Sequence, residues 1–242
     1  MSRTLLSTNK KLEKSNKDYL IMGLNLAPHK VSGYNTCPHA GKCAEVCIGE
    51  HSGFMRMNSV RKAQVRKTKM FFEDRKAFLS LLHKDLQSAQ YSAVTKSKYL
   101  AIRLNIDSDI PWESIDKSLF KYAHAYYDYT KNPRRMYKYL NKELPEYYYL
   151  TFSFSEKTKK EDFDYFLKNK GNIAVIFNVL YRPGKEQVPL PKRWGKYKVV
   201  DGDVNDLRTP DTDGRGVIVG LRAKMKKDLV QKYVNEGLVQ EV

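Results

Sequence analysis

Long apolar runs are missing from this chain. No stretch of about 18 apolar residues occurs, which argues against a membrane-spanning helix, and the opening "MSRTLLSTNKKLEKSNKDYL" lacks the apolar centre of a secretory signal. Both absences lead to the expectation of a cytoplasmic protein with no membrane partner. Neither a G-x-G-x-x-G nor a G-x-x-x-x-G-K pattern follows any apolar run, so dinucleotide-binding and P-loop nucleotide folds lose support. Internal repeats and low-complexity tracts are absent too, which disfavours solenoids and disordered chains. Acidic residues are scarce beside basic ones: 27 Asp+Glu stand against 44 Lys+Arg, a formal charge of +17. Such a surplus sets up a field that draws polyanions, and a nucleic acid or nucleotide is an expected partner. A lysine-rich solvated surface accounts for the same number without any partner, and the basic residues are spread along the chain rather than gathered in a tail.

Cysteine is rare and confined. The three present, Cys37, Cys43 and Cys47, all fall in "TCPHAGKCAEVCIG", residues 36–49. In a reducing compartment an odd, clustered set favours metal binding or reactivity over a disulfide framework. Pro38, His39, Gly41, Lys42 and Glu45 make the segment a polar loop rather than a core element. Beside buried structural cysteines that hold no metal, two metal readings stay open. Three thiolates can hold an iron–sulfur cluster, leaving one iron without a protein ligand where ordinary clusters use four; an open iron is what a radical enzyme using S-adenosylmethionine requires. Alternatively the three thiolates bind zinc, with His39 or His51 as the fourth ligand.

The hydrophobic fraction of 41%, rich in tyrosine (17 Tyr against 10 Phe and 2 Trp), suffices for a core. The polar residues 1–18 read as a flexible N-terminal arm, and residues 19–242 as a single domain containing the Cys loop. Strands are expected in "DYLIMGLNLAP", "KYLAIRLNIDSDIPW", "HAYYDYT", "YYYLTFSFS", "NIAVIFNVLY", "YKVVDGDVNDL" and "RGVIVGLRA". Helices are expected from about Ser52 to Ala89 without a break, in "SIDKSLFKYA", from Pro133 behind an Asn132 cap, in "KKEDFDYFLKNKG" and near the C-terminus. Alternating strands and helices imply α/β architecture, a parallel (β/α) barrel or partial barrel of six to seven strands.

Sheets of this kind build their sites at the carboxyl ends of the strands. Polar residues collect there: Asn25 after the first strand, "RLNIDSD" after the second, Lys131 after the third and "DGDVNDLR" after the sixth. Asp107, Asp109, Lys131 and Asp203 are the expected catalytic groups. Asn25, Arg103, Asn105, Asp201 and Arg208 are expected to hold a cofactor or substrate. Any one of the Asp and Asn residues among these also fits an Asx turn or a helix cap. Arg103 and Arg208 either anchor an anionic ligand or neutralise Asp107 and Asp203.

Taken together, "CPHAGKCAEVCIG", the basic "RKAQVRKTKMFFEDR", "RLNIDSDIPWE", "YDYTKN" and "VVDGDVNDLR" resemble the bacteriophage protein family named for mycobacteriophage gene product eighty-eight, over most of the chain from about Leu20 to Lys224. That family is similar in outline to radical-SAM-type partial barrels with a three-Cys loop. The resemblance implies a phage-encoded protein acting in the infected host cytoplasm. It would carry a [4Fe–4S] cluster on Cys37, Cys43 and Cys47, use S-adenosylmethionine, and modify nucleic acid or nucleotides. The alternative is a non-enzymatic, zinc-stabilised nucleic-acid-binding protein. The common radical-SAM loop is C-x3-C-x2-C, whereas the gaps here are five and three, and "NIDSDIPWE" stands where a glycine-rich acidic segment usually follows the second strand.

Overall fold

The computed structural model describes residues 4–8, 12, 16–51 and 57–242. Its centre is a ten-stranded mixed sheet. The strands are β1 (Leu6–Ser7), β2 (Tyr19–Leu24), β3 (Tyr99–Arg103), β4 (Ala125–Thr130), β5 (Tyr148–Ser153), β6 (Asn172–Leu180), β7 (Arg193–Trp194), β8 (Tyr197–Asp201), β9 (Ile218–Ala223) and β10 (Val239–Gln240). Their order is β1-β2-β3-β4-β5-β6-β9-β8-β7, and β10 pairs with β6. From β2 through to β8 all neighbours are parallel, whereas β1 and β7 are antiparallel at the two ends. The α/β expectation is met by a mostly parallel ten-stranded sheet, and among the described residues the pairing path is not seen to close into a barrel.

Among the described residues, five helices of two or more turns join the strands: α1 (Asn58–Glu73), α2 (Arg75–Thr95), α3 (Pro133–Leu140), α4 (Lys160–Lys168) and α5 (Lys227–Asn235). The single long helix expected from about Ser52 is two, and residues 52–56 lie outside the described residues. The break falls at Asp74, whose carboxylate accepts the Ala77 N–H at 3.1 Å and so caps α2. "SIDKSLFKYA" is likewise no α-helix. A single turn, Trp112–Ile115, gives way at Asp116 to a 3₁₀ turn, Lys117–Lys121, because the Asp116 side chain caps the Ser118 N–H. Asn132 does cap α3, accepting the Arg134 N–H at 3.0 Å, with Pro133 in the first turn.

Successive side chains on a strand part to opposite faces. Leu100 and Ile102, Tyr126, and Tyr148, Leu150 and Phe152 form one face. They pack with Phe78, Leu82 and Leu86 of α2, Trp112, Met136 of α3 and Phe166 of α4. Ile21, Ala101, Ala125 and Tyr127 point the other way and pack with Leu207. The segment after β8 therefore crosses the face opposite the helices, tied down by Tyr127, whose hydroxyl donates to Asp206 at 3.1 Å. The expected N-terminal arm is in part anchored: Leu6 and Ser7 pair with Leu24 and Gly23, and Leu5, Leu6 and Leu12 are buried. No helix among the described residues is long and apolar enough to cross a membrane.

Candidate functional site

The Cys loop leaves β2 and folds back over the carboxyl ends of the parallel strands. Thr36 pins its start: the hydroxyl donates to Ala27 O at 2.7 Å, and its own carbonyl accepts the Asp109 N–H at 2.9 Å. Further on, the Lys42 N–H donates to Glu156 Oε1 at 2.9 Å, and Tyr233 of α5 donates its hydroxyl to Glu45 at 3.1 Å. Cys43 and Val46 pack on the apolar cluster of Val230, Tyr233 and Leu238. The loop is thus tied to β5 and to the C-terminal helix as well as to its own strand.

All three cysteines are free and half-buried. Cys37 Sγ donates to Asp107 O at 3.5 Å. Burial pushes the Cys47 thiol up to about 12, reinforced by Cys43, Asp107 and Cys37, and burial together with Asp109 and Cys43 raises Cys37. The thiols are near enough to penalise one another's ionisation. Among the described residues, however, no three His, Cys, Asp or Glu side chains are arranged around one point as a metal site. The donor chemistry suits a thiophilic metal, and binding one requires the loop to draw the thiols together.

Asp107 joins the loop to the sheet. Gln64 of α1 places Nε2 3.3 Å from Asp107 Oδ2, and Asn25, with its amide nitrogen turned toward the carboxylate, donates at 2.6 Å. Gly49 of the single turn Ile48–His51 lies so close that an added Cβ would sit 2.5 Å from Asp107 Cγ. Because Asp107 is enclosed, Gly49→Ala is expected to cost about 1–3 kcal/mol. A denaturation midpoint equal to that of the wild type would show that the loop does not rest on Asp107.

The other expected site residues are spent on internal pairing. Arg103 grips both oxygens of Asp206 at 3.0 Å and lies over the Tyr129 ring, and its charge also draws Asp107 downward against the upward push of burial. Arg208, buried, pairs with Asp213 at 2.8 Å rather than with Asp203. Asp201 and Asp203 are both held by Arg222, and Asp203 also by Lys224. Asn105 is saturated: its Oδ1 accepts from Ser108, Ile110 and Trp112, and its Nδ2 donates to Ile110 O and Asp128. Asp109 accepts Arg135 Nη1 at 2.6 Å and the Lys131 N–H at 2.9 Å. Lys131 differs. Among the described residues its ammonium donates only to neutral acceptors, Ser153 Oγ at 2.8 Å and Phe154 O at 3.3 Å.

Sequence reasoning passes over Arg135, Glu113 and Gln64, all buried. Arg135 sits one turn into α3 and forks onto Glu113, with Nε to Oε1 at 2.8 Å and Nη2 to Oε2 at 2.9 Å. The Arg-Arg pair after Asn132-Pro133 is the one local signal, since a helix start rarely places two cations together against its own dipole.

Asp128 supplies a pH prediction. It accepts the Asn105 N–H at 2.7 Å and the Tyr148 hydroxyl at 2.8 Å, yet complete burial pushes its carboxyl up to about 6 against the opposing pull of Arg135. The folded state then holds a proton that the unfolded chain has released, so stability falls as pH rises from about 4 through 6 and levels off above. A shift of about two units corresponds to about 3 kcal/mol. Urea midpoints recorded between about pH 5 and about pH 7 should decline, and Asp128→Asn should flatten that slope; equal slopes would refute the assignment.

None of the curated proteins and none of the solved structures matches the chain. The family model described as Gene product 88 matches residues 3–236, the span that contains the Cys loop, strands β1 to β9 and α5, and the chain belongs to the gene product 88 family.

Proposed function

We propose that the protein is an iron–sulfur-binding, radical-SAM-like enzyme whose centre forms at the carboxyl end of the parallel sheet, with Cys37, Cys43 and Cys47 as thiolate donors and S-adenosylmethionine as cofactor. The observation that carries this reading is the placement of the chain's only cysteines. They are unoxidised neighbours on one loop fastened over the strand ends. A partial-barrel character is supported by the segment around Leu207, which fills the face opposite the helices.

A three-thiolate cluster, when bound, supplies an iron with an open position and an electron for reductive cleavage of the cofactor. The chain's own residues provide the frame. Asp107, with Asn25 and Gln64, supports the loop from beneath, and Asp109 fixes Lys131 at the rim. Arg103, Arg208 and Arg222 neutralise Asp206, Asp213 and the Asp201–Asp203 pair, which makes them positioning residues. The formal charge of +17 supports a nucleotide or nucleic-acid substrate.

Purification under anaerobic conditions tests the reading. Brown protein containing iron and acid-labile sulfide is the expected result. Colourless protein with one zinc per chain would replace it with the structural-zinc alternative.

A further inference from the structure

Beside the Cys loop, at the carboxyl ends of β4 and β5, lies a cavity of about 440 Å³. That volume falls in the range of small-molecule sites. His39 of the loop lines one side, the start of α3 another, and Phe152 contributes an apolar patch. Three cations line it, Lys131, Arg134 and Lys157, against one carboxylate, Asp162, which already accepts the Tyr137 hydroxyl at 2.6 Å.

None of these three cations pairs with a carboxylate among the described residues. Lys131 is the informative one, because it is half-buried and its ammonium is oriented by Ser153 Oγ and Phe154 O. Two of its three protons are used, and the third is left to the cavity. A partly desolvated ammonium without a counter-charge is costly, and an anion bound in the cavity relieves it.

The remaining polar groups are also donors. Thr158 Oγ1 accepts the Ser155 N–H at 2.9 Å and Ser155 Oγ accepts the Lys157 N–H at 3.4 Å, which leaves both hydroxyl protons to give. The amino-terminal end of α3, with no acidic residue in its first turn, adds positive potential at the same wall. Ammonium, guanidinium and hydroxyl donors around an open cleft are the complement of a group that only accepts hydrogen bonds and carries about two negative charges.

We propose that this cavity binds the phosphate groups of a nucleotide-sized phosphorylated small molecule. The assignment goes beyond the iron–sulfur reading and needs no metal. It also distinguishes this pocket from a cofactor site for S-adenosylmethionine, whose sulfonium the three cations would repel.

Calorimetric titration of the full chain with pyrophosphate, ADP, adenosine and a single-stranded oligonucleotide tests it. Pyrophosphate and ADP should bind, with adenosine at least about tenfold weaker. The surface double variant Arg134→Ala/Lys157→Ala should weaken ADP by about tenfold or more while its circular dichroism stays that of the wild type, and Asp162→Asn should tighten it. ADP binding unchanged in the double variant, no ADP binding at millimolar concentration, or equal affinity for adenosine would overturn the proposal. So would a preference for the oligonucleotide over ADP that the double variant abolishes. Repeating the titration with Cys43→Ala separates the two readings, since loss of metal there should leave ADP affinity unchanged.

Discussion

Replacing Arg135 by Met is expected to destabilise the protein by about 3–5 kcal/mol, the cost of removing one partner from a buried ionic cluster. Arg135 is only 3% exposed and Glu113 only 4%. Its guanidinium takes both Glu113 oxygens, reaches Asp109 through Nη1 and donates to the Tyr148 hydroxyl at 2.7 Å, which in turn donates to Asp128. Methionine fills much of the volume but leaves two carboxylates enclosed without a counter-charge, and their desolvation is then uncompensated. Chemical denaturation reads the loss directly, and neutralising the stranded groups in Arg135→Met/Glu113→Gln should recover part of it. A loss below about 1 kcal/mol would mean that water reaches the cluster. The consequence extends to the strand ends, because Asp109 is what holds the Lys131 N–H and the Thr36 carbonyl in place.

The second large effect concerns Cys47. Cys47→Ala should lower the iron bound after anaerobic reconstitution by about tenfold or more, since two thiolates cannot retain a cluster that three hold. Folding should survive the change. The side chain is half-buried rather than central to the core, and removing a small partly buried group costs on the order of 1 kcal/mol. Far-ultraviolet circular dichroism and the urea midpoint monitor the fold while iron analysis reads the site. Iron retention equal to that of the wild type would remove Cys47 from the donor set, and a Cys43→Ala variant with normal iron would do the same for Cys43.

The alternation of strands and helices was legible because short continuous apolar runs such as "YLIMGL" and "NIAVIFNVL" are bounded by turn residues, and because Asn132-Pro133 announces a helix start. Strand order was not legible. Nothing local in "IVGLRA" says that β9 enters between β6 and β8, since that choice is made by packing across the whole sheet. The same limit governs the charged residues. "RLNIDSD" and "DGDVNDLR" marked ionisable groups at strand ends, but Arg103 found Asp206, 103 residues away, and Arg135 found Glu113, 22 residues away. A sequence shows which groups need partners, and only the topology decides which partners they meet. The Cys loop was the opposite case, since its three thiols stand within eleven residues of one another in the sequence.

Metal and sulfide analysis of the wild-type protein, purified without oxygen, bears most directly on the central claim. Iron and acid-labile sulfide are expected in equal amounts, with visible absorption that bleaches on reduction. Zinc at one per chain without sulfide, or protein free of any metal after reconstitution with iron and sulfide, would contradict it.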